Sequence, residues 1–169
     1  RKDDTIMLAI VEELAKDGLE VVDQTLYLKP LMPACGVLSR RKPTADEEHD
    51  IRFGFVTAKA MGGMDIGQTV VVKNKAVMAV EAIEGTDACI RRGGALGREK
   101  SVVVKVAKPN QDPRFDVPAV GKQTILSMIE SQCNVLALEA GRTLFVEQDE
   151  VLNLANRHNI CICAVDKNF

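Results

Sequence analysis

Hydrophobic and polar positions follow two rhythms along this chain. Short, largely β-branched apolar runs fall within Thr69–Ile83, Ser101–Ala107, Asn134–Glu139 and Asn159–Val165. They read as strands, and the unbroken apolar character of Ser101–Ala107, interrupted only by Lys105, predicts a strand buried on both faces. Between them lie longer stretches with apolar residues at helical spacing. Asp3/Asp4 followed by TIMLAIVEELAKDG predicts a capped helix with Ile6, Ile10, Val11 and Leu14 on one face and Gly18 as its stop. Thr44-Ala-Asp-Glu47 is a capping box that opens a helix to about Met61, closed by Gly62-Gly63. Further helices are predicted over Lys122–Gln132 and Asp149–His158.

The shorter pieces complete the picture. Leu19–Asp23 reads as a short strand, Tyr27–Pro33 as a turn or short helix, and Gly36–Ser39 and Thr143–Glu147 as short extended segments. Lys73-Asn74-Lys75 separates two apolar runs, which predicts a β-hairpin with Asn74 at positive φ. Gly85 permits a tight turn, after which Thr86 or Asp87 can cap a helix to about Arg92. Gly93–Lys100 reads as a flexible connection. Strands alternating with helices predict an α/β fold: one domain over residues 1–169, with a mostly parallel sheet, flanking helices and one attached β-hairpin.

Composition narrows the function. The chain has 169 residues and a formal net charge of −2, so it lacks the basic footprint of a nucleic-acid partner. No apolar run reaches the length of about 20 residues that a membrane span needs, and no signal peptide is evident. The chain begins at Arg1 rather than Met, which reads as a piece or processed form of a longer protein. Its five cysteines are scattered, four of them inside apolar segments, the pattern of buried thiols in a reducing compartment. His49 and His158 sit in polar, helical surroundings, as surface residues do. Neither of the familiar phosphate-loop fingerprints is present.

Two stretches carry chemistry. Lys108–Gly121 holds three prolines, Gln111, the acids Asp112 and Asp116 and the base Arg114, directly after Lys105 and its strand. Prolines stiffen such a loop. Cations beside carboxylates keep the acids ionised and can also bind phosphate, a mixture suited to hydrolysis or transfer at phosphorus. An inert ion-pair network has the same composition. The second stretch is Glu81…Glu84-Gly85-Thr86-Asp87. Carboxylates at a strand end suit a hard cation such as magnesium, and the amides after Gly85 can receive phosphate oxygens; a plain helix cap with solvated glutamates is the other reading. Arg142, in a turn after an apolar run, is a substrate-side candidate.

Taken together, these residues carry a resemblance. Asp50-Ile-Arg52-Phe-Gly54, Asp65-Ile-Gly67-Gln68, Ala79-Val-Glu81 through Asp87, Lys105-Val-Ala-Lys108-Pro109-Asn-Gln111-Asp112, Arg114-Phe-Asp116-Val-Pro118 and Leu138-Glu139-Ala-Gly141-Arg142-Thr143 resemble, in the same order, the C-terminal domain of the LpxI family. The resemblance implies a magnesium-dependent hydrolase that cuts the pyrophosphate of UDP-2,3-diacylglucosamine, releasing UMP and 2,3-diacylglucosamine 1-phosphate (lipid X) in Gram-negative lipid A biosynthesis. It implies a soluble cytoplasmic enzyme working at the inner membrane, with room for peripheral membrane contact and for a homodimer. It also implies a second, N-terminal domain, absent from this chain, with substrate held between the two. Within the Arg-x-Asp-x-Pro motif the essential aspartate falls on Asp116, with Asp112 as the fallback. Asp116 would orient water or hold the metal, joined in coordination by Glu81, Glu84 or Asp87. Lys105, Lys108 and Arg114 would neutralise the diphosphate, with Gln68, Thr86, Gln111 and Arg142 also on the substrate. Two alternatives stand beside it: a non-catalytic module that binds a sugar nucleotide or other phosphorylated ligand, and a structural domain that only dimerises.

Overall fold

The structure, a computed structural model, describes the backbone of residues 3–169 and side chains from Ile6 onward. Its centre is three parallel strands: β4 (Ser101–Lys105), β6 (Cys133–Glu139) and β8 (Cys161–Val165), with β6 in the middle. Antiparallel strands extend the sheet on both sides. β1 (Gly36–Val37) pairs with β8, while β2 (Thr69–Lys73) pairs with β4 and with the outer strand β3 (Ala76–Val80). The order is therefore β1-β8-β6-β4-β2-β3, beside a two-stranded parallel sheet of β5 (Ala119–Val120) and β7 (Leu144–Phe145). The α/β class, the flanking helices and the parallel centre are those expected from the sequence.

Strand parity divides the core. Val70, Val72, Val102, Val104, Val135, Ala137, Cys161 and Cys163 pack on one face, against Ile51, Phe55, Ala58 and Met61 of α3 (Ala45–Gly63). Val71, Val103, Leu136, Leu138 and Ile162 pack on the other face. There they meet α4 (Thr86–Gly97), α5 (Lys122–Glu130) and α6 (Gln148–Arg157). Buried on both faces, these strands lose nearly all their apolar surface to water, and each fully buried Val or Leu contributes about 1.5–3 kcal/mol relative to exposure.

Local sequence explains several elements directly. The Thr44 hydroxyl accepts from the Glu47 amide (3.3 Å) and Glu47 accepts from the Thr44 amide (2.8 Å), the reciprocal cap that starts α3. The Glu47 carboxylate also receives Arg41 (2.5 Å) and Asn134 (2.9 Å), tying the helix start to β6. Asn74 and Lys75, which link β2 to β3, take φ of 52° and 59°. Their amides donate to the buried Asp50 carboxylate at 2.8 and 2.6 Å, so one α3 side chain fixes that turn.

Other expectations are corrected. Gly93–Lys100 is not a flexible connection: α4 continues to Gly97. A Cβ at Gly93 would run into the Val71 side chain, and one at Gly94 into Ser131, so these glycines let the helix lie against sheet and neighbour. Leu19–Asp23 forms no strand: it pairs with neither sheet, and Leu19 and Val22 stay exposed. Neither Thr86 nor Asp87 caps α4; its N-cap is Gly85, at φ 81°. Helix α1 (Asp3–Lys16) is present, yet Ile6 and Ile10 on its apolar face are 45% and 47% exposed. The cap expected of Asp3 or Asp4 lies outside the described side chains. Cys89, Cys133, Cys161 and Cys163 are buried thiols and Cys35 is exposed, as are both histidines.

Candidate functional site

The strands β4, β6 and β8 run parallel, so their C-terminal ends share one edge of the sheet, the usual position of sites in open α/β folds. β2 is antiparallel and begins at this edge, with Thr69 opposite Lys105. The loop at residues 106–118 leaves β4 here, and the turn at 81–87 lies at the same edge because Glu81 accepts no break in the ladder: its amide still donates to the Thr69 carbonyl (2.8 Å).

Parity splits the charged groups between the two faces of this edge. Lys105, in phase with Val103, lies on the α4 side. Its ammonium donates to the Thr86 hydroxyl (3.0 Å) and the Ala119 carbonyl (2.9 Å). The Thr86 hydroxyl in turn donates to Glu81 (2.8 Å), whose other oxygen is 3.4 Å from the Gln68 amide. Burial lowers the Lys105 pKa, and the charges of Glu81, Asp87 and Asp116 oppose that shift. All three acids are thus within electrostatic reach of one buried ammonium.

Glu139, in phase with Val135 and Ala137, lies on the α3 side. It receives Lys59 through both oxygens (3.0 Å each) and the Ala107 amide (2.8 Å). Next to it, Lys108 pairs with Asp65 (2.8 Å), and the Lys108 amide donates to the Gln111 side chain (2.9 Å). Gln111 also contacts Gln68 at 3.5 Å. Between these anchors the loop is internally braced. Arg114 closes on Asp112 through its side chain at 2.6–3.1 Å and through its amide at 3.0 Å, and that guanidinium holds the Asp112 carboxyl below its ordinary pKa. The Asp116 amide donates to the Asp112 carbonyl (3.0 Å), and the Asp116 carboxylate has no hydrogen-bond or ion-pair partner among the described residues. It lines a cavity of about 190 Å³ together with Gln111, Arg142, Ala107, Asp23 and Thr25.

Lys105 thus bridges the 81–87 turn, through Thr86, and the chain just past the loop, at Ala119. Of the expected ligands Asp116, Glu81, Glu84 and Asp87, no three are gathered into one cluster. Glu84 is drawn outward by Arg92, Glu81 is held by Thr86, and among the described residues no three His, Cys, Asp or Glu side chains are grouped to hold a metal ion. A four-carboxylate magnesium centre does not fit these positions. A single carboxylate, Asp116, does fit the commoner arrangement in which magnesium takes one or two protein carboxylates beside phosphate oxygens and water. Arg114 is spent on Asp112 and does not line the cavity, whereas Arg142 does. Sequence reading passed over Lys59, Glu139, Asp23 and Thr25 as members of the site. Glu139 had a legible signal, an acid closing an otherwise apolar run; nothing local marked Lys59 or Asp23.

Residues 34–163 match the family model described as the LpxI C-terminal domain. The UDP-2,3-diacylglucosamine pyrophosphatase LpxI of Caulobacter vibrioides is 31% identical over 172 aligned positions. The match takes in 97% of this chain but only 61% of that protein's length.

Proposed function

The chain belongs to the LpxI family, and from that premise we propose that it is the catalytic part of a hydrolase acting on UDP-2,3-diacylglucosamine. The products would be UMP and 2,3-diacylglucosamine 1-phosphate, within lipid A biosynthesis. The observation that carries this reading is the cavity at the strand ends, where an unpaired Asp116 carboxylate stands with Gln111 and Arg142.

Hydrolysis of a diphosphate asks little covalent chemistry of a protein; it asks for positioning and for stabilisation of charge. Asp116 accepts a hydrogen bond from a water and takes its proton as the water oxygen bonds to one phosphorus. The bond from that phosphorus to the bridging oxygen breaks, and its electron pair leaves with the departing phosphate. Arg142, which lines the cavity, stabilises the charge that develops on the phosphoryl oxygens, and the buried Lys105 ammonium, within electrostatic reach of Asp116, adds to the positive field. Asp116 is also the residue that would hold magnesium beside the diphosphate, where the ion would neutralise phosphate charge. Asp112 fixes Arg114 and the loop, a supporting role.

A volume of about 190 Å³ is below the ~300–1,000 Å³ of cavities that enclose a drug-sized ligand. It suits the diphosphate, leaving uridine, sugar and acyl chains to other surfaces. The chain spans 61% of the length of the relative it matches, and we assign the remaining substrate contacts to a preceding N-terminal domain. A diacylated substrate resides in a bilayer, so the enzyme would meet the cytoplasmic face of the inner membrane peripherally. Among the described residues no helix is long and apolar enough to cross a membrane.

The test is an assay of the full-length gene product with UDP-2,3-diacylglucosamine and magnesium, following UMP by chromatography. UMP is expected from the full-length protein, and little or none from residues 1–169 alone. Tight binding of substrate with no UMP formed would favour the non-catalytic binding module instead.

A further inference from the structure

We propose that Lys59 and Glu139 are positioning residues that clamp the Ala107 peptide groups and so hold the loop bearing Asp116 over the strand ends; this rests on the reading of that loop as catalytic. The geometry is reciprocal. The Ala107 amide donates to Glu139 at 2.8 Å, and the Ala107 carbonyl accepts from the Lys59 ammonium at 2.8 Å. The two side chains are themselves joined at 3.0 Å. Each polar group of one residue is thus held by one member of an ion pair.

Ala107 is where such a hold matters. The chain follows the sheet through Val106, whose amide still donates to the Gln68 carbonyl (3.0 Å), and departs into the loop at the next residue. Ala107 is buried, so its N–H and C=O would be costly to leave unpaired. The clamp satisfies both and sets the direction of departure. Its surroundings act on the next residue as well. Arg142 lies 3.9 Å from Glu139 and donates to the Lys108 carbonyl at 3.4 Å. On α3, Gly62 lies under Lys108, close enough that a Cβ there would be 3.3 Å from the Lys108 Cα.

Stability alone does not call for this arrangement. Glu139 is 7% exposed, and removing one partner of such a pair strands a buried charge, whereas replacing both by apolar groups is often neutral. That asymmetry provides the test. In the full-length protein, the Lys59→Met/Glu139→Leu double variant should keep its fold, with its melting temperature lowered only modestly by the two unpaired Ala107 groups. Amide exchange over residues 107–118 should nevertheless accelerate about tenfold or more, with β4 and β6 unchanged. Turnover of UDP-2,3-diacylglucosamine should fall about 100-fold in kcat, with KM within about threefold, the signature of a misplaced catalytic group. Lys59→Arg should recover most of the kcat lost in Lys59→Met. If the double variant does not fold, Glu139→Gln is read by the same two measurements. A folded variant with unchanged loop exchange and unchanged kcat overturns the proposal. So does a raised KM at constant kcat, which would mark a substrate contact. If the unaltered protein does not cleave this substrate, the proposed function fails separately, and loop exchange alone decides the clamp: acceleration upholds it and no change overturns it.

Discussion

In the turn at residues 81–87, Thr86 and the Gln68 amide draw Glu81 inward, and Arg92 draws Glu84 outward. In the loop at residues 106–118, Arg114 closes on Asp112, and Asp116 remains at the cavity with no partner among the described residues. Both stretches place acids at the same edge of the sheet, and composition alone gave them similar chemistry. The difference lies in how neighbouring donors are shared. In the turn, each glutamate has its own donor. In the loop, Arg114 sits two residues from Asp112 and donates to it from backbone and side chain alike, so Asp112 is satisfied locally. An acid is available for chemistry where its neighbours are already committed to one another.

The sharpest way to break this comparison is Asp116→Ala in the full-length protein. Loss of a positioned general base should cost about 10²–10⁴-fold in kcat. Substrate binding should persist or tighten, because one negative charge beside the diphosphate is gone; isothermal titration with the variant checks it. Near-normal kcat would mean that the unpaired carboxylate is incidental.

Lys105 should come next. Its ammonium is buried, and the desolvation that lowers its pKa brings deprotonation below the usual lysine value of about 10.4. Under the proposed function it is the protonated form that supports charge on the phosphoryl oxygens, so activity should be retained at neutral pH and fall on an alkaline limb displaced to lower pH. Lys105→Met should reduce kcat/KM about 100-fold and abolish that limb, and a pH–rate profile of both proteins decides it.

Smaller effects separate the remaining acids. Asp112→Ala should slow turnover about tenfold or less, through a loosened loop. Because the folded-state pKa of Asp112 is lowered, its pairing with Arg114 is in place above the ordinary aspartate value of about 3.9 and is lost as pH falls through the lowered one. Glu84→Gln, which alters an exposed ion pair with Arg92 and an acceptor for the Ala82 amide, should leave kcat and KM unchanged. Should Glu84→Gln prove slower than Asp112→Ala, the two stretches have the reverse of the roles assigned here.

The sequence carried the fold class because its signals are local and periodic. The unbroken apolar runs Val102–Val104 and Val135–Leu138 mark strands buried on both faces, and the Thr44–Glu47 cap needs only four consecutive residues to form. The same signals marked the Pro-rich loop as a candidate site, since an abrupt change from apolar to charged residues requires no partner to be seen. Three readings failed for want of partners. Leu19–Asp23 has strand-like composition but no place in the ladder. The glycines of α4 look like breakers until Val71 and Ser131 are found against them. The metal ligands implied by the resemblance, Asp116 with Glu81, Glu84 or Asp87, form no cluster of three, because Thr86 and Arg92 engage two of them. What the sequence determined on its own was which residues carry charge and which stretches leave the core. Tertiary structure alone decided which charges neutralise one another, because Lys59 and Glu139, and Lys108 and Asp65, meet only when α3 is laid across the strand ends.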